Sequence, residues 1–107
     1  MLYIDGGIYN PVPFDQLRGA ADIVVAVDVV GAPEPGSGER PNSLDLMFGA
    51  TQLMMQSIIA GKLQQGHPDV LLRPPVSRFR VLDFMKIDAV LGETASLKDE
   101  VKRGIEA

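Results

Sequence analysis

Asp5, Gly6 and Gly7 directly follow the apolar triplet Leu2-Tyr3-Ile4. A carboxylate at the carboxyl end of a parallel strand lies where open α/β sheets place their ligands. From there it can accept a proton from an attacking hydroxyl or water. Two glycines after it permit a tight turn and close approach of a second backbone. The same tripeptide also suits a structural turn, in which the carboxylate orders its own backbone amides. Two other residues could carry chemistry. His67 is the single histidine and lies between Gly66 and Pro68, with no nucleophile motif to serve, so a surface-loop role is expected. Asp28 ends the run Ile23-Val-Val-Ala-Val, where a carboxylate can hold Mg²⁺ or accept a phosphoryl group. That chemistry needs a second acidic cluster and a matching lysine; neither is evident, and a structural role is expected for Asp28.

The pattern around Asp5 extends as Asp5-Gly6-Gly7-x-x-Asn10-x-x-Pro13. It resembles the aspartate motif of patatin-like phospholipases. Ala21 to Val29 is similar to the next core strand of bacterial members, and Leu82-Asp83-Phe84 before a long helical stretch is similar to the end of that domain. The resemblance covers most of the chain and is weakest over Gly31 to Pro41. It implies a lipid acyl-hydrolase, a phospholipase or esterase with a serine–aspartate dyad and no cofactor. Asp5 would be its catalytic base, with Gly6, Gly7, Asn10 and Pro13 supporting the turn. Tyr9 and Phe14, just past the motif, could line an acyl pocket or pack as ordinary apolar residues.

The family's serine lies in G-x-S-x-G, upstream of the aspartate motif, with a glycine-rich oxyanion-hole segment before it. Neither is found here. The five serines are Ser37, Ser43, Ser57, Ser77 and Ser96, and none has that setting. Gly36-Ser37-Gly38 has the wrong spacing and falls in a proline-rich stretch, whereas a nucleophile elbow joins a strand to a helix. The expectation is a partial patatin-like domain over residues 1–107: the aspartate-bearing, C-terminal portion of a three-layer α/β domain with a mainly parallel sheet. The missing N-terminal half would be its natural partner, and the chain alone would be inactive. The rival reading is a non-catalytic module that self-associates or binds a partner. A third, a small receiver-like or nucleotide-binding domain, would need Mg²⁺ or phosphate near Asp28.

The elements that must position these residues follow from the apolar pattern. Strands are expected at Leu2–Ile4, Ile23–Val29 and Val70–Leu72. The unbroken β-branched run of the second implies a strand covered on both faces. Gly31 to Pro41 holds three Gly and three Pro and reads as a loop. Asn42 or Ser43 can cap a helix reaching Lys62, with Asp45 well placed in its first turn. Leu44, Met47, Phe48, Met54, Met55 and Ile58 form one helical stripe, and Leu46, Ala50 and Leu53 a second, so this helix should be largely buried. A last helix, capped by Asp83, should run from Phe84 to Glu106. Strands alternating with helices indicate the α/β class.

Composition narrows the partners. The 107 residues carry a net charge of −4, which argues against a nucleic-acid surface, since that needs a clustered basic patch. The absence of cysteine excludes disulfides and thiolate metal sites, and no metal is expected. Leu44 to Leu63 is too often interrupted by polar residues to span a bilayer. Residues 1–20 lack the basic start and apolar core of a signal peptide, and localisation stays open. A lipid or ester is the expected substrate of the complete protein. The isolated chain, with apolar elements left uncovered, is expected to form a homo-oligomer.

Overall fold

The β-branched run at 23–29 pairs with Val70–Leu72 to form the one sheet among the described residues. The computed structural model describes residues 1–33, 40–79 and 83–107. In it β1 (Val25–Val27) lies parallel to β2 (Val70–Leu72), with Val25 opposite Val70 and Val27 opposite Leu72. The ladder is extended at its ends by Val70 N donating to Val24 O and Asp28 N donating to Leu72 O. The Asp69 carboxylate adds an anchor by accepting from Val24 N at 2.8 Å. Between the strands runs the helix α1 (Ser43–Gln65), so the centre of the chain is one strand–helix–strand unit. The fold is therefore mixed α/β with a small parallel sheet.

α1 starts where its sequence says it should. The Asn42 side chain accepts from Asp45 N, and the Asp45 carboxylate accepts from Asn42 N, a reciprocal capping box. It runs three residues beyond Lys62 and stops at Gly66, whose N–H donates to Lys62 O. After β2 come α2 (Ile87–Thr94) and α3 (Leu97–Glu106). The single helix expected from Phe84 to Glu106 is thus divided. Ala95 N–H turns to Gly92 O, three residues back, which closes the first helix. Ser96 O then accepts from both Asp99 and Glu100 N–H and starts the second. Lys86, not Asp83, occupies the first cap, although Asp83 receives the Lys86 ammonium at 3.3 Å.

Two further expectations are corrected. Leu2–Ile4 is not a strand: a strand exists through its ladder partner, and among the described residues none lies beside it. Nor are β1 and α1 enclosed as their apolar sequences suggest. Val24 and Ala26 are buried, but Ile23, Val27 and Val29 are exposed, so the run is covered on one face only. Of α1 only Ile59 is buried, while Leu44, Leu46, Met47, Leu53 and Met54 face solvent. The buried apolar residues are Phe14, Val24, Ala26, Ile59, Val70 and Leu72; Phe14, Val24 and Ala26 form one cluster, with Val12, Leu63 and Leu71 packed against it. The accessible surface is 8352 Å², against about 5,800 Å² for a folded monomer of this mass. The radius of gyration is 15.6 Å, where about 13 Å is usual at this length.

α3 reaches the sheet by a close approach. A Cβ placed on Gly104 would lie 2.9 and 3.0 Å from the two methyl groups of the buried Val70. Glycine is needed there for space, at the expense of helix propensity. Gly61 in α1 has nothing within 4 Å of its Cβ position. Gly61→Ala should therefore stabilise the chain by up to about 1 kcal/mol through helix propensity alone. Gly104→Ala should destabilise it, since overpacking of about 1–3 kcal/mol exceeds that gain. Denaturant titration of both variants checks the opposite signs; stabilisation by Gly104→Ala would contradict the packing of α3 on β2.

Candidate functional site

Asp5 sits at the head of a short 3-10 turn, Gly6–Ile8, and caps it. Its Oδ1 accepts from Gly7 N at 2.8 Å, while Oδ2 has no partner among the described residues. The residue is exposed. Gly7 is the glycine that matters to it: a Cβ there would lie 3.2 Å from Asp5 Oδ1 and 3.8 Å from Met55 Sδ of α1. Gly6 faces open space. Neither glycine has a positive φ, so closeness to the carboxylate, not unusual backbone angles, calls for glycine at position 7.

Asn10 joins this turn to the rest of the chain. Its N–H donates to Gly6 O at 2.8 Å. Its Nδ2 lies 3.3 Å from Asp15 Oδ1, and its Oδ1 accepts from the Lys62 ammonium at 2.5 Å. This orientation of the amide follows from its neighbours, because the reverse would aim NH₂ at an ammonium. Lys62 Nζ also donates to Pro11 O at 3.0 Å and Val12 O at 2.7 Å, and pairs with Asp15 Oδ1 at 2.8 Å. It stands 4.9 Å from the centre of the Phe14 ring. The lysine is 16% exposed, and every donor it has is used. Val12, whose carbonyl it holds, has φ +50°, an uncommon conformation for a β-branched residue. Strain of that kind costs on the order of 1–3 kcal/mol and persists only where surrounding contacts impose it.

The Lys62 ammonium holds the Asp15 carboxyl well below the usual carboxylate range, with help from the Gln16 and Asn10 side-chain amides. Sequence reasoning overlooked both Lys62 and Asp15. A lysine late in a helix and an aspartate in a turn each resemble solvated charges, and 47 positions separate the two.

The other candidates fall as follows. Pro13 is exposed and precedes a second 3-10 turn, Phe14–Leu17. Phe14 is a core residue, 4% exposed, with Arg18 and Lys62 over its ring. Tyr9 is exposed. His67 is exposed and makes no hydrogen bond among the described residues; it lines a cleft of about 170 Å³ with Arg18 and Asp69. Asp28 uses both carboxylate oxygens within the chain, accepting from Val30 N and pairing with Arg73 Nε at 3.4 Å. Ser77 accepts from Ala32 N, and Ser43 opens α1. Ser37 lies outside the described residues. Among the described residues no three acidic or histidine side chains gather as a metal site, and no helix is long and apolar enough to cross a membrane.

The ion pair sets a pH dependence. A carboxyl group whose folded-state pKa is lowered contributes stability above its ordinary value, near 3.9, and loses it as pH falls below that. Stability should thus decline on acidification below about pH 4, and Asp15→Asn should flatten that decline. Lys62→Met should cost about 2 kcal/mol at neutral pH by leaving Asn10 Oδ1, Pro11 O and Val12 O without their donor and Asp15 without its counter-ion. Urea titrations from pH 3 to 7 measure both; an unchanged slope in Asp15→Asn would show the pair to be thermodynamically silent. No family model matches this chain, and no curated protein is significantly similar to it.

Proposed function

We propose that this chain is the aspartate-bearing portion of a patatin-like acyl-ester hydrolase, and that Asp5 is the general base of a serine–aspartate dyad. The observation that carries the reading is the Asp5 carboxylate itself. One oxygen is fixed by Gly7 N–H and the other is accessible and unpartnered among the described residues. A base needs that arrangement: a fixed orientation and one oxygen within reach of an incoming hydroxyl. The serine Oγ would attack the ester carbonyl as its proton passes to Asp5 Oδ2. The alkoxide or lysolipid would leave with that proton. Water, deprotonated by the same carboxylate, would then release the acyl group from serine. The G-x-S-x-G elbow and the oxyanion donors would come from sequence outside these 107 residues, as would a third layer covering α1 and further strands beside Met1–Asp5.

The exposed apolar residues of β1 and α1 support this reading, since a three-layer domain would enclose them. They also support the second reading, a non-catalytic module that pairs through the same faces. The two separate on simple experiments. If the reading frame continues upstream through an in-frame G-x-S-x-G roughly 100–200 residues back, the protein it encodes should hydrolyse a short-chain chromogenic ester. In it, Asp5→Asn should lower kcat by about 10²- to 10⁴-fold and leave the circular dichroism spectrum unchanged. Activity within a few-fold of the parent would remove Asp5 from the mechanism. The 107-residue chain alone should give only the buffer rate.

Exposed strand edges and apolar patches recruit other chains. Light scattering at micromolar concentration should accordingly give the mass of a dimer or larger. A monodisperse 11.5 kDa species that binds no hydrophobic dye would count against the module reading.

A further inference from the structure

A second cleft opens where both parallel strands end, away from any residue of the Asp5 motif. Asp28 directly follows β1 and Arg73 directly follows β2, and Asp28 N donating to Leu72 O holds the two strand ends together. The carboxyl ends of parallel strands are where α/β sheets receive ligands. The cleft has a volume of about 520 Å³, within the range of roughly 300–1,000 Å³ for small-molecule sites.

Its lining has two characters. The polar part includes Arg73. Asp28 Oδ2 forms an ion pair with its Nε at 3.4 Å, and the two Nη groups have no partner among the described residues. Asp28 is only 11% exposed and holds Val30 N–H with its other oxygen, so it is a fixed support. Ser77 accepts from Ala32 N, which leaves its hydroxyl proton to donate into the cleft. The apolar part of the lining is Ile59, Ala60, Pro74 and Pro75.

We infer that this cleft binds a small amphiphilic monocarboxylate, its carboxylate on the Arg73 fork and its apolar body against Ile59, Ala60 and the Pro74–Pro75 wall. The fork matches a planar carboxylate by two parallel N–H···O bonds. Arg73 is the one cation among the lining residues and already faces Asp28, so a ligand with a single negative charge suits it better than one with two. A phosphate dianion would bring its second charge close to Asp28 with nothing among the lining residues to balance it. The cleft shares no lining residue with the Asp5 motif, so failure of one assignment leaves the other standing.

The test is a ¹⁵N-correlation NMR titration of the full chain with hexanoate, 1-hexanol and inorganic phosphate. Hexanoate should shift the Gly31, Ala32 and Ser77 amides saturably, and hexanol or phosphate at equal concentration should shift them at least several-fold less. Arg73→Lys keeps the charge but loses the fork, and should weaken hexanoate binding about tenfold while preserving the spectrum elsewhere. Ala60→Phe should abolish binding by filling the apolar wall; should that variant not fold, Arg73→Lys decides alone. Equal shifts with hexanol, tighter binding of phosphate, unchanged affinity in Arg73→Lys, or shifts concentrated on Leu46, Met47, Leu53 and Met54 would each overturn the assignment.

Discussion

A single ammonium group ties the N-terminal turn to the rest of the molecule. Lys62 reaches from the last turn of α1 to Asn10, Pro11, Val12 and Asp15, with the Phe14 ring beneath it. A cation this enclosed is tolerable only when each of its donors is satisfied and a counter-ion is close. Both conditions are met, and a helix C-terminus is itself favourable to positive charge. Through Asn10, whose N–H holds Gly6 O, the restraint extends to the turn that carries Asp5. Met55, two turns earlier on the same helix, has its sulfur 3.8 Å from where a Gly7 Cβ would lie. The orientation of the Asp5 carboxylate thus depends on α1 as much as on its own tripeptide.

The remaining architecture is one strand–helix–strand unit with α3 packed onto its second strand through Gly104. Its core is thin. Phe14, Val24 and Ala26 are enclosed from one direction, while the opposite side of β1 and most of α1 stay wet. Burial of apolar area is the main favourable contribution to folding, and here a large share of what the chain possesses goes unburied.

What could be read from the sequence was what neighbours in sequence decide. The Asn42–Asp45 box lies within one helical turn, Gly66 ends the same helix, and Val70–Leu72 carries its strand character in three β-branched or leucine side chains. What could not be read depends on partners far along the chain or on their absence. Among the described residues, Leu2–Ile4 has strand composition but no neighbour to pair with, and the stripes on α1 have no opposing layer. The break at Ala95–Ser96 comes where Ala95 N–H bonds three residues back, to Gly92 O, a choice that apolar periodicity does not register. At the site, the motif pointed to Asp5, Asn10 and Pro13. Lys62, 52 positions from Asn10, was invisible because a helical lysine ordinarily points to water.

That same separation orders events in time. α1 carries its own start and stop and needs nothing distant to nucleate, and a helix of this kind forms in about a microsecond. The turn at Asn10–Val12 has no such autonomy: its left-handed valine is unfavourable until an ammonium arrives from a finished helix. Closing that long loop is entropically uphill before any bond repays it. The segment carrying Asp5 should consequently be among the last to settle and the first to open, and its amides should exchange with solvent well before those of α1.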